Sequence, residues 1–198
     1  MLKDSFLRTI NTLIINYLPA IAGSTAGYFY KISIFIDGSN FYHSLKKSFN
    51  ITKIDVKKLS KILIAENELQ QIFYYTSPIN RKENLNAYKA QQRFLAKIKK
   101  VPKLMLFLGR LEKRGNGKVE KGVDVKLAVD LISNAFKDRF DIAIIISNDA
   151  DFVPAIKEVQ NRGKKVFNVS FPKTKSFHLN KVCDRTIKID SVNEFELT

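Results

Sequence analysis

The chain has 198 residues, with 34 Lys and Arg against 19 Asp and Glu, a formal net charge of +15. Apolar residues make up 45% and aromatic residues 11%, enough for a real core, so a disordered basic tail is excluded. The single Cys183 excludes an intramolecular disulfide framework and a cysteine-based zinc site, and His43 and His178 stand far apart in sequence. Any metal would be held by oxygen, and the length suits one domain with an extension.

Residues 9–30 contain no charge, and Lys3 and Arg8 precede them. The stretch approaches a membrane span in length, yet Asn11, Asn16, Pro19 and two glycines dilute its apolar content. A packed or loosely ordered extension is the first expectation and a weak membrane anchor the second. From Lys31 onward, apolar runs alternate with amphipathic stretches. Residues 32–36 (ISIFI) read as a buried parallel strand and 56–66 as an amphipathic helix. A second strand is expected at 71–77, a long polar helix at 81–100, and a third strand at 103–109. Gly115-Asn116-Gly117 marks a hairpin or flexible loop. Val125, Ala128, Val129, Ile132 and Phe136 recur at helical spacing and are expected to form one packed face. Residues 141–147 (DIAIIIS) form the most buried-looking strand. A helix follows at 151–163, with Pro154 in its first turn and Gly163 at its end. Strands at 165–170 and 186–189 flank a short helix near 177–183. Such alternation specifies an α/β fold, a parallel sheet with helices on both faces.

The positive charge is concentrated. Residues 71–121 hold 13 basic side chains and three acids, Glu83, Glu112 and Glu120. That is the pattern of a basic face turned toward a polyanion. Tyr74, Tyr75, Tyr88 and Phe94 lie in the same region, where stacking on bases is one use and core packing the commoner one.

Ligands of an open α/β sheet bind at the carboxyl ends of the strands, where chain order reverses. Asp37 follows the strand 32–36 directly, and Asp149 and Asp151 follow the strand 141–147. Asp124 opens the helix after the loop 115–122. If the two strands are central and adjacent, Asp37, Asp149 and Asp151 converge, and Asp124 can join them. Clustered carboxylates repel unless a hard cation neutralises them, and Mg²⁺ or Mn²⁺ suits oxygen donors beside a substrate phosphate. Each acid also has a plainer use: Asp149, Asp151 or Asp124 as a helix-terminal acid. Asn40 either bonds across the site or begins the next helix. Asp130, about 120° around its helix from Asp124, is either a supporting group or a local hydrogen-bond partner. His43, His178 and Cys183 read as structural. No GxGxxG, GxxxxGK[ST] or GxSxG motif is present.

The segments IDGSN (36–40), GRL (109–111), KGVDVKLAVD (121–130) and SNDADFVPAIKEVQNRGKKV (147–166) resemble the NYN-domain family, LabA-like proteins related to PIN-domain nucleases. The segment 179–190 is similar to the family's last helix and strand, so the resemblance covers about residues 31–190, leaving a 1–30 extension and a 191–198 tail. It implies a Rossmann-like (PIN-like) sheet and a Mg²⁺- or Mn²⁺-dependent endoribonuclease. The implied catalytic and metal-binding positions are Asp37, Asp124, Asp149 and Asp151, with Asn40, Asp130 and Ser147 in support. The family commonly carries Gly where this chain has Asn148. If that turn requires a positive φ, Asn is the next most tolerant residue.

The expected substrate is RNA, single-stranded or structured, tracked by Lys121, Arg110, Arg81, Arg93, Lys97 and Lys100. PIN-like relatives imply 5′-phosphate and 3′-hydroxyl products. An RNA-binding module without turnover is the alternative, and a phosphatase on a similar sheet is a third reading. A cytoplasmic location is expected, and the sequence leaves homo-oligomerisation open.

Overall fold

The computed structural model describes residues 29–114, 117–193 and 195–196. The expectations for the segment 9–28 lie outside the described residues. The chain runs β1 (Lys31–Asp37), α1 (Gly38–Phe49), α2 (Val56–Ile64), β2 (Glu68–Thr76), α3 (Leu85–Ile98) and β3 (Leu104–Leu108). A ribbon of β4 (Arg110–Arg114) and β5 (Gly117–Lys121) leads to α4 (Val123–Phe136) and β6 (Ile142–Ile146). A 3-10 turn, Ala150–Phe152, precedes α5 (Val153–Asn161), β7 (Lys165–Ser170), α6 (Phe177–Val182) and β8 (Arg185–Lys188).

Six strands form one parallel sheet in the order β3-β2-β1-β6-β7-β8, and β4 pairs with β5 alone. The fold is therefore α/β and Rossmann-like. Chain order runs outward from β1 to β3 and then jumps back to β6 beside β1. The crevice between the carboxyl ends of β1 and β6 is thus the topological switch point, where such sheets bind ligands.

Alternation along the strands divides the core in two. Ile32, Ile34 and Ile36 of β1 face α1, α2 and α3, meeting Phe41, Leu45, Leu59, Leu63 and Leu95. Phe35 faces the other way, with Phe73, Val123, Leu127, Leu131, Ile156 and Leu179. Phe35 stacks on Phe73 at 4.8 Å between centroids. β1 and β6 are buried on both faces, which explains why their sequences are apolar runs and not alternating patterns. Val192 and Phe195, after β8, are buried against the first face, and the Asp55 N–H donates to the Phe195 carbonyl at 2.7 Å.

One expectation is corrected. On α4 the buried residues are Val123, Leu127, Leu131, Asn134 and Ala135. Of the face expected to pack, Ala128 and Ile132 do pack partly against the core, but Val125, Val129 and Phe136 are 69%, 53% and 50% exposed. Two apolar stripes share this helix, and the sheet takes the one whose leucines reach between Phe35 and Tyr75. Phe136 is covered in part by the Arg162 guanidinium, 3.6 Å from its ring centre.

The aromatic residues near the basic region go largely to the core. Tyr74 and Tyr75 are buried, and Phe94 packs edge-on against Tyr74. Cys183 is also buried, and burial together with the Asp184 charge pushes its thiol up to about 12, consistent with an inert structural cysteine.

Candidate active site

Asp37 ends β1 and is the N-cap of α1, so the chain turns from strand into helix at the carboxylate itself. The next residue, Gly38, permits this turn against β2: a Cβ there would lie 2.6 Å from Tyr74 Cε1 and 2.8 Å from the Tyr75 carbonyl. Asp37 is 2% exposed. Its Oδ1 accepts from the Asn40 N–H at 3.1 Å, and its Oδ2 accepts from Asn40 Nδ2 at 2.6 Å and Ser147 Oγ at 3.0 Å. Burial raises the Asp37 carboxyl above the usual carboxylate range. The Asn40 and Ser147 hydrogen bonds oppose that rise, and the nearby Asp149 charge adds to it.

Ser147 ends the run after β6 and serves both acids, since its Oγ also accepts from the Asp149 N–H at 3.1 Å. Asp149 N-caps the 3-10 turn, its Oδ1 accepting from the Asp151 N–H at 2.9 Å. The helix-terminal use expected for Asp149 is what it does, and Asp37, for which no such use was expected, also caps a helix. The two carboxylates lie at the switch point, close enough for the Asp149 charge to act on Asp37. Helical N-termini at this edge add a favourable field for anions.

Asp151 and Asp124 share the edge but are exposed. Asp151 lines an open cleft with Val153, Pro154 and His178. Asp124 lies in the first turn of α4, where it complements the helix dipole. Among the described residues, no three of His, Cys, Asp and Glu are grouped so as to hold a metal ion between them. Among these acids the structure shows an electrostatic contact of Asp37 with Asp149, while Asp151 and Asp124 are exposed at the same edge. A pair still fits a hard divalent ion, because Mg²⁺ uses one or two carboxylates and keeps several waters or phosphate oxygens. Burial is the main cause of the rise at Asp37, and the smaller contribution of the Asp149 charge is what such a cation would relieve.

Asp130 is committed elsewhere. It accepts from Tyr75 Oη at 2.9 Å and from Lys126 Nζ at 2.5 Å. The bond braces α4 against β2, and burial with the Asp130 charge pushes the Tyr75 hydroxyl well above its ordinary value. The Lys126–Asp130 pair is legible as an i,i+4 spacing, but the Tyr75 partner is 55 residues away and carries no sequence signal.

Asn148 adopts no positive φ, so the turn does not require glycine. Its Nδ2 instead donates to Ser44 Oγ at 2.7 Å, tying the β6 loop to α1 beside Asp37. Its Oδ1 is buried without a hydrogen-bond partner among the described residues. The Ser44 link could not be read from spacing, since the partners are 104 residues apart.

The basic positions divide by height. Arg81 precedes α3, and Arg110 and Lys121 are the first and last residues of the ribbon, all leaving the carboxyl edge. Arg93, Lys97 and Lys100 are exposed along and beyond α3, which descends toward the opposite edge. Among the described residues, no helix is long and apolar enough to cross a membrane.

An uncharacterised protein of Methanocaldococcus jannaschii is 29% identical over 169 residues, 85% of this chain. The chain spans 58% of that relative's length. The crystal structure of a protein of unknown function from Vibrio parahaemolyticus superposes with a TM-score of 0.70 at 23% identity, covering 88% of this chain and all of that one. That likeness supports the parallel α/β fold. The NYN domain matches residues 31–190, and with its Rossmann-like sheet and its acids at the switch point the chain belongs to the NYN-domain family.

Proposed function

We propose that the protein is a metal-dependent endoribonuclease working at the carboxyl ends of β1 and β6. The observation that carries this reading is Asp37, a buried carboxylate raised by burial and by Asp149 at the switch point of a strongly basic protein. A buried carboxyl perturbed by its surroundings at a sheet's switch point is characteristic of functional sites.

Asp37 and Asp149 would hold Mg²⁺ or Mn²⁺, with Asp151 and Asp124 completing its surroundings through water or substrate. A divalent ion there supplies charge neutralisation at phosphorus and lowers the pKa of the attacking water. The chain's own residues do the positioning. Asn40 and Ser147 hold the Asp37 carboxylate in one orientation, and Ser147 and the Asp151 N–H fix Asp149 beside it. Asp124 orients the water, and Tyr75 with Lys126 steadies the helix that carries it through Asp130. Arg110, Lys121 and Arg81 hold the RNA backbone near the edge, and Arg93, Lys97 and Lys100 extend that track. Hydrolysis would leave 5′-phosphate and 3′-hydroxyl ends.

The test is cleavage of labelled single-stranded RNA with Mn²⁺ or Mg²⁺ against EDTA, beside Asp37→Asn and Asp149→Asn. Metal-dependent cleavage that falls by about 10²-fold or more in both variants is expected. Tight binding with no cleavage in any metal would favour the RNA-binding module instead. Cleavage that survives both substitutions would place the site elsewhere.

A further inference from the structure

Beyond β7 the chain crosses the carboxyl edge of the sheet. Phe171 is buried against the first face, where the Lys173 N–H donates to Ser48 Oγ on α1 at 3.2 Å. Leu179 of α6 is buried against the second face. The crossing therefore lies over the end of β7, one strand or about 5 Å from the end of β6. It carries Lys173, Lys175, Phe177 and His178, all of them exposed. The sequence reads His178 as structural, and the structure puts it on the surface instead.

His178 forms one wall of an open cleft of 440 Å³, with Ala150, Asp151, Val153 and Pro154 as the rest of its lining. That volume is in the range of small-molecule sites, and an apolar floor with a few polar groups at its rim is their usual make-up. Phe177 meets the His178 ring edge-on at 5.9 Å between centroids. It is 74% exposed, the most of any large apolar side chain among the described residues. The walls are fixed to one another, since Gln160 Nε2 of α5 donates to the Val182 carbonyl of α6 at 3.0 Å and to Asp184 Oδ2 at 2.9 Å. At its other end the cleft adjoins the acids, because the Asp151 N–H donates to Asp149 Oδ1 at 2.9 Å. Exposed rings and apolar surface between lysines fit a flat ligand with a π-face on an anionic chain, which is an unpaired nucleotide.

We propose that this cleft is a nucleobase subsite: one unpaired base of the substrate enters it against Val153, Pro154 and the His178 ring, and the adjoining base stacks on Phe177. The subsite rests on the nuclease reading above and adds a requirement to it. The substrate must be single-stranded where it passes Asp149, because a paired base reaches such a pocket only at the cost of unstacking and unpairing. Stacking accepts any base, so the subsite selects the state of the strand and not its sequence. Lys173 and Lys175 neutralise the phosphates on this side of the acids, opposite the side that Arg110 and Lys121 serve.

The experiment measures binding by anisotropy at one salt concentration, in EDTA so that no strand is cut. Three labelled probes are used: a short single-stranded RNA, an abasic ribose-phosphate chain of the same length, and the blunt duplex of the same sequence. Full-length wild type is compared with F177A/H178A and with the ring-keeping F177Y/H178Y. Wild type should prefer the single strand to the abasic chain by about tenfold for each base stacked. F177A/H178A should lose most of that preference while binding the abasic chain and the duplex as wild type does, which separates lost stacking from a damaged fold. F177Y/H178Y should keep the preference. Equal binding of single strand and abasic chain by wild type overturns the subsite, as does an alanine variant that keeps the preference or weakens on all three probes alike. Wild type that binds no RNA overturns the subsite and the nuclease reading together. A base preference that depends on Phe177 and His178, without metal-dependent cleavage, overturns the nuclease reading alone.

Discussion

Asp37 carries three hydrogen bonds and is still raised, because desolvation outweighs them and Asp149 adds its charge. A carboxyl whose folded pKa lies above its unfolded value binds its proton more tightly in the fold. Its ionisation therefore costs stability: the penalty is absent below the unfolded pKa, grows as pH rises through the raised value, and is complete above it. Asp37→Asn removes the charge while keeping size and polarity, and the Asn40 amide and Ser147 hydroxyl can turn to meet the new donor. The variant should unfold at a higher temperature than wild type at pH 7, and the difference should shrink as pH falls through the acid range. Thermal melts at a series of pH values check this. A lower melting temperature at neutral pH would mean that the hydrogen bonds, not the burial, dominate at Asp37. That Asp37 stands at the carboxyl end of a buried central strand was legible from an acid directly after an apolar run. That its partners are Asn40 and Ser147 was only half legible, since Asn40 is three residues away and Ser147 is 110.

The strands were legible because burial on both faces leaves unmistakable apolar runs: residues 32–36 lie within β1, 142–146 form β6, and 165–170 coincide with β7. Helix α4 was not fully legible. Its sequence offers two apolar stripes, and periodicity alone cannot say which one a sheet will cover. The choice is made by tertiary volume: Leu127 and Leu131 fill the space over Phe35 and Tyr75, while Val125 and Val129 stay outside. Leu127→Ala should destabilise the protein by about 2–5 kcal/mol, the cost of an unfilled core site. Val129→Thr should stay within about 0.5 kcal/mol, as surface changes do. Urea unfolding midpoints of the two variants decide it, and equal losses would restore the stripe expected from sequence. Helix α1 illustrates a different gap. Its residues GSNFYHSLKKSF give a weak apolar pattern, and only its N-cap, Asp37, announces it.

Across the whole molecule, the charge of +15 is not spread evenly around the acids. Arg81, Arg110 and Lys121 rise from the carboxyl edge, where helix N-termini also point, so in the proposed mode they would act on phosphates near Asp37 and Asp149. Helix α3 begins at that edge and returns the chain to β3, so Lys97 and Lys100 lie most of its 14 residues lower, about 20 Å away. Salt screens exposed charges over about 10 Å at 0.1 M, which leaves the two groups of cations nearly independent. RNA short enough to lie only across the edge should therefore ignore Lys97→Gln/Lys100→Gln, while RNA long enough to run down α3 should bind the variant less tightly. Arg81→Gln/Lys121→Gln should weaken both lengths. Anisotropy titrations at one salt concentration make the comparison. Equal weakening of short and long RNA by the Lys97 and Lys100 changes would show that the substrate approaches along α3 itself, and not over the carboxyl edge. The sequence showed how many cations there are and how closely they follow one another. Their height above the sheet depends on which way each element runs, and that emerges only once β1 and β6 are adjacent.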